Sequence, residues 1–199
     1  MGKAYANRKQ KKDRPVGDFY ETPYSLVWKL IETGELDKFD RIVDPCCGKG
    51  AILHALKNHP RTQNKEIVGF DKESYKDTCA QGDLFEYRQH EEAVVTNFPF
   101  SDWDRCVQHA ITFADTVITI GRVNYFGTHD RHASGRWAYL QKVYVFDRMV
   151  DYRGPIREDG FFHVGALVTG WFVFKKNKTF TSHISVIDVQ EYAKLGAVK

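Results

Sequence analysis

In Arg41-Ile42-Val43-Asp44-Pro45-Cys46-Cys47-Gly48-Lys49-Gly50-Ala51-Ile52-Leu53, the hydrophobic period changes within a few residues. Arg41–Asp44 is a short apolar run of the kind that forms a buried strand. Pro45 to Gly50 reads as a turn. Ala51–Asn58 then places Ile52, Leu53, Ala55 and Leu56 on one helical face. A strand that turns through glycine into a helix is the repeating unit of an α/β sheet.

The same alternation extends in both directions. Upstream, Asp18–Thr33 predicts a helix with Leu26, Val27, Leu30 and Ile31 inward, Thr22 as its cap and Pro23 in its first turn. A turn at Gly34 ends it. Downstream, Glu66–Asp71 reads as a second strand, and residues 72–79 as a short helix or irregular connection. Cys79–Gly82 is a minor strand and Ala93–Asn97 a third full one. Ser101–Phe113 reads as a helix capped by Ser101 or Asp102, and Thr116–Gly121 as a strand rich in β-branched residues. Gln141–Phe146 and Ala166–Phe174 are apolar runs with no crossover helix between them, so they are expected to pair antiparallel. Ile184–Val189 is either an edge strand or loosely packed. The expected fold class is α/β: a mostly parallel sheet, helices on both faces, and a C-terminal antiparallel strand.

The chain has 199 residues, 42% hydrophobic and 28% charged, which suits one globular domain. That domain is expected over residues 17–199. Residues 1–16 read as a flexible basic arm, with Lys3, Arg8, Lys9, Lys11, Lys12 and Arg14 against Asp13 alone. Net charge is only +3, so the body is close to neutral and the basic arm is either a phosphate-contacting element or a solvated tail. No apolar run reaches the roughly 20 residues of a membrane span, and no secretion signal is evident. Cys46, Cys47, Cys79 and Cys106 lack metal-type spacing, which favours reduced thiols in the cytoplasm. His129 and His132 have ligand-like spacing without a third ligand, so no metal is expected.

Two motifs carry chemistry. Gly48-x-Gly50 lets backbone approach a ligand at a helix start. Asp71 ends the next strand, where a carboxylate can accept hydrogen bonds from a ribose diol. Leu53 stands where a dinucleotide site has its third glycine, which disfavours a nicotinamide cofactor. Asp44 supplies a carboxylate suited to a ligand ammonium. S-adenosylmethionine (SAM) has both an ammonium and a ribose. The second motif, Thr96-Asn97-Phe98-Pro99-Phe100, follows the strand Ala93-Val94-Val95. It offers an amide acceptor and an aromatic ring, as an exocyclic amine on a planar base requires.

These segments resemble the motifs of SAM-dependent N6-adenine DNA methyltransferases. Asp44-Pro45-Cys46-Cys47-Gly48-Lys49-Gly50 is similar to their SAM-binding motif, and Asn97-Phe98-Pro99-Phe100 to their catalytic Asn-Pro-Pro-Phe. Phe19-Tyr20-Glu21-Thr22-Pro23 looks like their Thr-Pro segment. The order of the three resembles the gamma class and small phage-type enzymes, over most of residues 18–175. The resemblance implies a Rossmann-like class I SAM-dependent methyltransferase fold with SAM as cofactor and DNA as partner. It implies that Phe19, Thr22 and Pro23 border the methionine part, and that Asp44, Cys46, Gly48 and Gly50 hold its amino acid end. Asp71 would bind the ribose, Asp83 the adenine amino group, and Leu84 or Phe85 its ring. Asn97, Phe98, Pro99 and Phe100 would form the catalytic clamp and stacking ring. Phe98 departs from the motif, where a proline is expected. Phenylalanine neither fixes φ nor removes an N–H, so the turn is free to take another shape.

The same clamp suits cytosine N4, an RNA base or a protein glutamine, and a non-catalytic SAM- or nucleic-acid-binding module is the alternative of a different kind. Arg122, Arg131, Arg136 and Arg153 are candidate phosphate or base contacts, and Trp137 and Phe161 candidate stacking wedges.

Overall fold

The computed structural model describes residues 21–73, 75, 78–127, 136–150, 152, 167–177 and 182–188. The basic arm, Phe19, His129, Arg131, His132, Arg153 and Phe161 lie outside the described residues. Elements follow in the order α1 (Tyr24–Glu32), β1 (Arg41–Asp44), α2 (Ala51–Lys57), β2 (Glu66–Asp71), β3 (Ala80–Gln81) and β4 (Glu91–Thr96). Then come α3 (Trp103–Phe113), β5 (Ala114–Arg122), β6 (Leu140–Phe146), β7 (Thr169–Lys175) and β8 (His183–Ile187).

The strands form one sheet in the order β3-β2-β1-β4-β5-β7-β6-β8. β1 pairs parallel with both β2 and β4, and β4 with β5. β7 runs antiparallel to β5 and to β6, the latter as the lack of a helical period in the sequence between them predicts. β8 pairs parallel with β6, which decides the reading of Ile184–Val189 in favour of an edge strand. Strand order reverses between β1 and β4. Such a switch point opens a crevice beyond the strands' carboxyl ends, where ligands of open α/β sheets bind.

Side-chain alternation along the strands builds a core on each face. Ile42, Val95, Ile118, Ile120, Trp171 and Val173 join α1 and α2 on one side. Val94, Val117, Phe172 and Phe174 join Trp103, Val107 and Ala110 of α3 on the other. Two buried indoles stitch helix to sheet: Trp171 Nε1 donates to Leu26 O and Trp103 Nε1 to Ile120 O, each at 2.8 Å. The expected inward face of α1 is buried throughout.

One of the two expected helix caps differs from the sequence reading, and neither makes a side-chain capping bond. Pro23, not Thr22, is the N-cap of α1, in an extended conformation and with no side-chain capping bond. Asp102 holds the N-cap position of α3 but accepts no capping bond, and its carboxylate is 3.6 Å from Arg105 instead. In each case a charged or tertiary partner competes with the local backbone donor. Residues 72–79, where described, form no helix. Trp137 stacks on Phe126 at 5.0 Å and packs against the α3-side core, which removes it from the stacking-wedge candidates. Among the described residues no helix is long and apolar enough to cross a membrane.

Candidate active site

A cavity of about 500 Å³ opens at the switch point, a volume in the range of small-molecule sites. The ends of β1, β2 and β4 bring Asp44, Asp71 and Asn97 to its wall. Thr22 enters from ahead of α1, and Asp83 and Leu84 from the turn after β3. Cys46, Phe98 and Pro99 also line it, whereas Pro23 and Phe100 stand outside its lining.

The glycine turn is shaped by close packing. Gly50 is the N-cap of α2 at φ 82°, a left-handed conformation that disfavours side chains. A Cβ there would lie 2.4 Å from Thr78 Cγ2. Gly48 donates its N–H to Asp71 Oδ2 at 2.8 Å, tying the turn to β2. Asp71 Oδ1 accepts from Glu73 N at 2.9 Å. The missing third glycine has a structural counterpart: Leu53 packs onto Gly69 of β2, where any Cβ would lie 2.4 Å from Leu53 Cδ1. The small residue that lets helix approach sheet is on the strand.

Asp44 is 1% exposed. Its Oδ1 accepts from Cys46 N at 3.2 Å, while Oδ2 is buried without a hydrogen-bond partner. Burial pushes its pKa up to about 7, with the Thr96 side chain and then the Cys46 N–H opposing and the Asp71 charge adding. A buried carboxylate on the cavity wall, with no cation paired to it among the described residues, suits a cationic ligand group. Asp83 is different: its Oδ1 accepts from Phe85 N at 2.8 Å, and Lys72 Nζ is 3.4 Å from Oδ2. That N–H first, and Lys72 second, hold its carboxyl below the usual range. Asp83 therefore caps the 3-10 turn Leu84–Glu86 while also lining the cavity.

The β4 end carries a tertiary contact that links two distant motifs. Asn97 Nδ2 donates to Thr22 Oγ1 at 3.2 Å. This bond orients the amide, so its acceptor Oδ1 is turned away from Thr22. Thr22 is held by Asn97 rather than by α1. Phe98 is 1% exposed and belongs to the α3-side core with Leu84, Trp103 and Cys106. Hydrophobic burial thus restrains the turn at the position where proline is absent. Pro99 O accepts Asp102 N at 3.1 Å. Phe100 lies beyond this turn with Tyr152 edge-on at 6.0 Å and the Arg122 guanidinium over its ring at 4.8 Å.

Several participants were not singled out by sequence reasoning. Arg105 lines the cavity and lies over the Phe85 ring at 3.8 Å. Its position on α3, one turn after Asp102, was the available signal. The side chains of Cys47 and Cys79 meet beside the glycine turn. Their separation of 32 residues has no sequence signature. Cys46 and Cys106 are free.

No protein-family model and no curated protein matches the chain in sequence. Solved structures resemble it in fold. A candidate class I SAM-dependent methyltransferase from Listeria monocytogenes aligns with TM-score 0.59 at 10% identity, covering 90% of this chain and 68% of that one. A methyltransferase subunit of a type I restriction-modification system from Streptococcus thermophilus gives TM-score 0.57 at 13% identity, covering 86% and 48%. The 23S rRNA methyltransferase ErmE gives 0.53 at 13%, covering 80% and 70%. The class defined by the sheet order and these likenesses is the Rossmann-like fold of class I SAM-dependent methyltransferases.

Proposed function

We propose that the protein transfers a methyl group from SAM to the N6 amino group of adenine in DNA. The observation that carries this reading is the Asn97–Thr22 hydrogen bond at the wall of the switch-point cavity. It joins the two sequence motifs expected to meet at a reacting amine, and it fixes the plane of the Asn97 amide at the cavity wall. Similarity of fold to methyltransferases, including a restriction-modification subunit and an rRNA enzyme, supports the reaction class and a nucleic acid as substrate.

SAM, when bound, supplies an electrophilic methyl group on a positive sulfur. Asp44, on the cavity wall, would receive the ammonium of its amino acid end. Asp71, fixed by the Gly48 N–H, takes the ribose hydroxyls. Asp83, Leu84 and Phe85 hold the adenine moiety. An adenine amine is a poor nucleophile because its lone pair is delocalised into the ring. Asn97 Oδ1 accepts one N–H and a main-chain carbonyl accepts the other, favouring a nitrogen whose lone pair points to the methyl. Pro99 O already accepts from Asp102, so Phe98 O is assigned this role. Bound SAM would supply the methyl group, its C–S bond breaking as the N–C bond forms, and the amine proton would pass to solvent. Positioning and fixed dipoles supply the catalysis. Phe100 stacks on the flipped base.

Incubation with methyl-labelled SAM and DNA, RNA or total protein, followed by mass spectrometry of the product, tests this reading. Label is expected in N6-methyladenine, with Asn97→Ala lowering transfer by at least about 100-fold. Label in cytosine, RNA or glutamine redirects the substrate. SAM binding without transfer to any polymer reduces the protein to a binding module.

A further inference from the structure

The ring assigned to the target base is already covered. The Arg122 guanidinium lies 4.8 Å from the Phe100 centroid, inside the distance at which a cation is attracted to an aromatic face. Tyr152 closes the ring's edge. Arg122 ends β5, the strand directly beside β4, so it reaches the same carboxyl end as Asn97. Its Nε is buried without a hydrogen-bond partner, and among the described residues no carboxylate forms an ion pair with it. A buried donor lacking an acceptor is unfavourable, so this arrangement has something to gain from an incoming anion.

A guanidinium is planar and stacks on aromatic faces as a base does, and it also pairs with phosphate through parallel hydrogen bonds. We propose that Arg122 is a placeholder for the target base. It lies on Phe100 while no nucleic acid is bound, yields the ring face to the flipped adenine, and then pairs with a backbone phosphate of that nucleotide. The inference rests on reading Phe100 as the base-stacking ring. It makes Arg122 a positioning residue that contributes to strand capture and opposes premature stacking.

The consequence is a pair of opposite effects that a purely structural arginine does not produce. A nucleoside without phosphate competes with Arg122 for the ring and receives nothing in return. A strand competes for the ring but recovers a phosphate contact. Binding is read by fluorescence quenching of 2-aminopurine deoxyriboside, and of a single-stranded oligodeoxyadenylate carrying one 2-aminopurine, across a salt series.

Arg122→Ala is expected to bind the nucleoside about two- to fivefold more tightly. The same variant should bind the oligonucleotide more weakly, with a salt slope reduced by about one. Arg122→Lys should tighten the nucleoside while keeping the slope, because an ammonium retains the charge but not the flat stacking surface. Nucleoside and oligonucleotide moving in the same direction overturns the placeholder, as does an unchanged salt slope in Arg122→Ala. Wild-type protein that binds neither probe also overturns it. Label transfer on the same preparations separates this inference from its premise. Methyl transfer to adenine without the Arg122 effects overturns the placeholder alone. The Arg122 effects without methyl transfer leave the placeholder standing and overturn adenine methylation.

Discussion

Two buried carboxylates, Glu35 and Asp44, differ in what surrounds them. Glu35 is 7% exposed and follows α1, where Lys142 Nζ donates to Oε1 at 2.6 Å and Tyr144 Oη at 2.9 Å. Lys175 Nζ reaches Oε2 at 3.3 Å. Burial by itself pushes the Glu35 carboxyl up, yet Lys142, Tyr144 and Lys175 together hold it below the usual range. Asp44 is buried more deeply still, with the Thr96 side chain and the Cys46 N–H beside it and no cation among the described residues, and its pKa rises to about 7. Depth therefore does not distinguish a structural acid from a ligand-binding one. The charge of the partners does: the fold supplies two lysines to Glu35 and, among the described residues, no cation to Asp44.

The largest expected effect breaks the comparison at its structural end. Glu35→Ala leaves two lysines and a tyrosine without their shared acceptor, and urea denaturation is expected to show a loss of about 3 kcal/mol. A loss below about 1 kcal/mol would put Glu35 in the same category as an exposed ion pair.

Next comes Asp44→Asn, which keeps the shape and removes the charge. Calorimetry should show SAM affinity falling by roughly 10- to 100-fold, the scale of a hydrogen bond to a charged group. Stability without cofactor should not fall, because the carboxylate is unfavourable where it is. Loss of stability with unchanged SAM affinity would reverse the assignment.

The smallest effect sharpens the contrast through pH. The Asp44 pKa is raised on folding, so the folded chain keeps a proton that the unfolded chain releases between pH about 4 and about 7. Cofactor-free stability therefore falls as pH rises through that window, by no more than about 1.4 kcal/mol per pH unit, and Asp44→Asn removes the slope. SAM affinity rises over the same window as the carboxylate ionises. Glu35 acts with the opposite sign. Its pKa is depressed, so its contribution is present above about 4.5 and is lost as pH falls through the lowered folded value. Stability curves of the two variants that bend the same way would contradict the distinction.

The regular part of the molecule was legible because its signals are local. Arg41–Asp44 and Glu66–Asp71 match β1 and β2 at both ends, since a buried parallel strand is an apolar run bounded by turns. Antiparallel pairing of β6 and β7 followed from the lack of a helical period in the sequence between them. Legibility failed where a local signal had a distant competitor. Thr22 looks like a helix cap until Asn97 comes within 3.2 Å of its hydroxyl. Leu53 in place of a glycine reads as a defect until Gly69 is found beneath it. At the candidate site, Asp44, Asp71, Asp83 and Asn97 were nominated from sequence and share one cavity. Arg105 and the Cys47–Cys79 pair were not, because neither contact has a fixed spacing.

By itself, the sequence determined the alternation of strands and helices, the glycine turn after β1 and the residue types at the ends of β1, β2 and β4. Those depend on periodicity and on φ preferences, which act over a few residues. Only the tertiary structure decided that Phe98 is buried in the α3-side core, that Asn97 is oriented by Thr22, and that Arg122 covers Phe100. Each of these joins side chains from different elements, and such contacts are set by how the elements pack against the sheet.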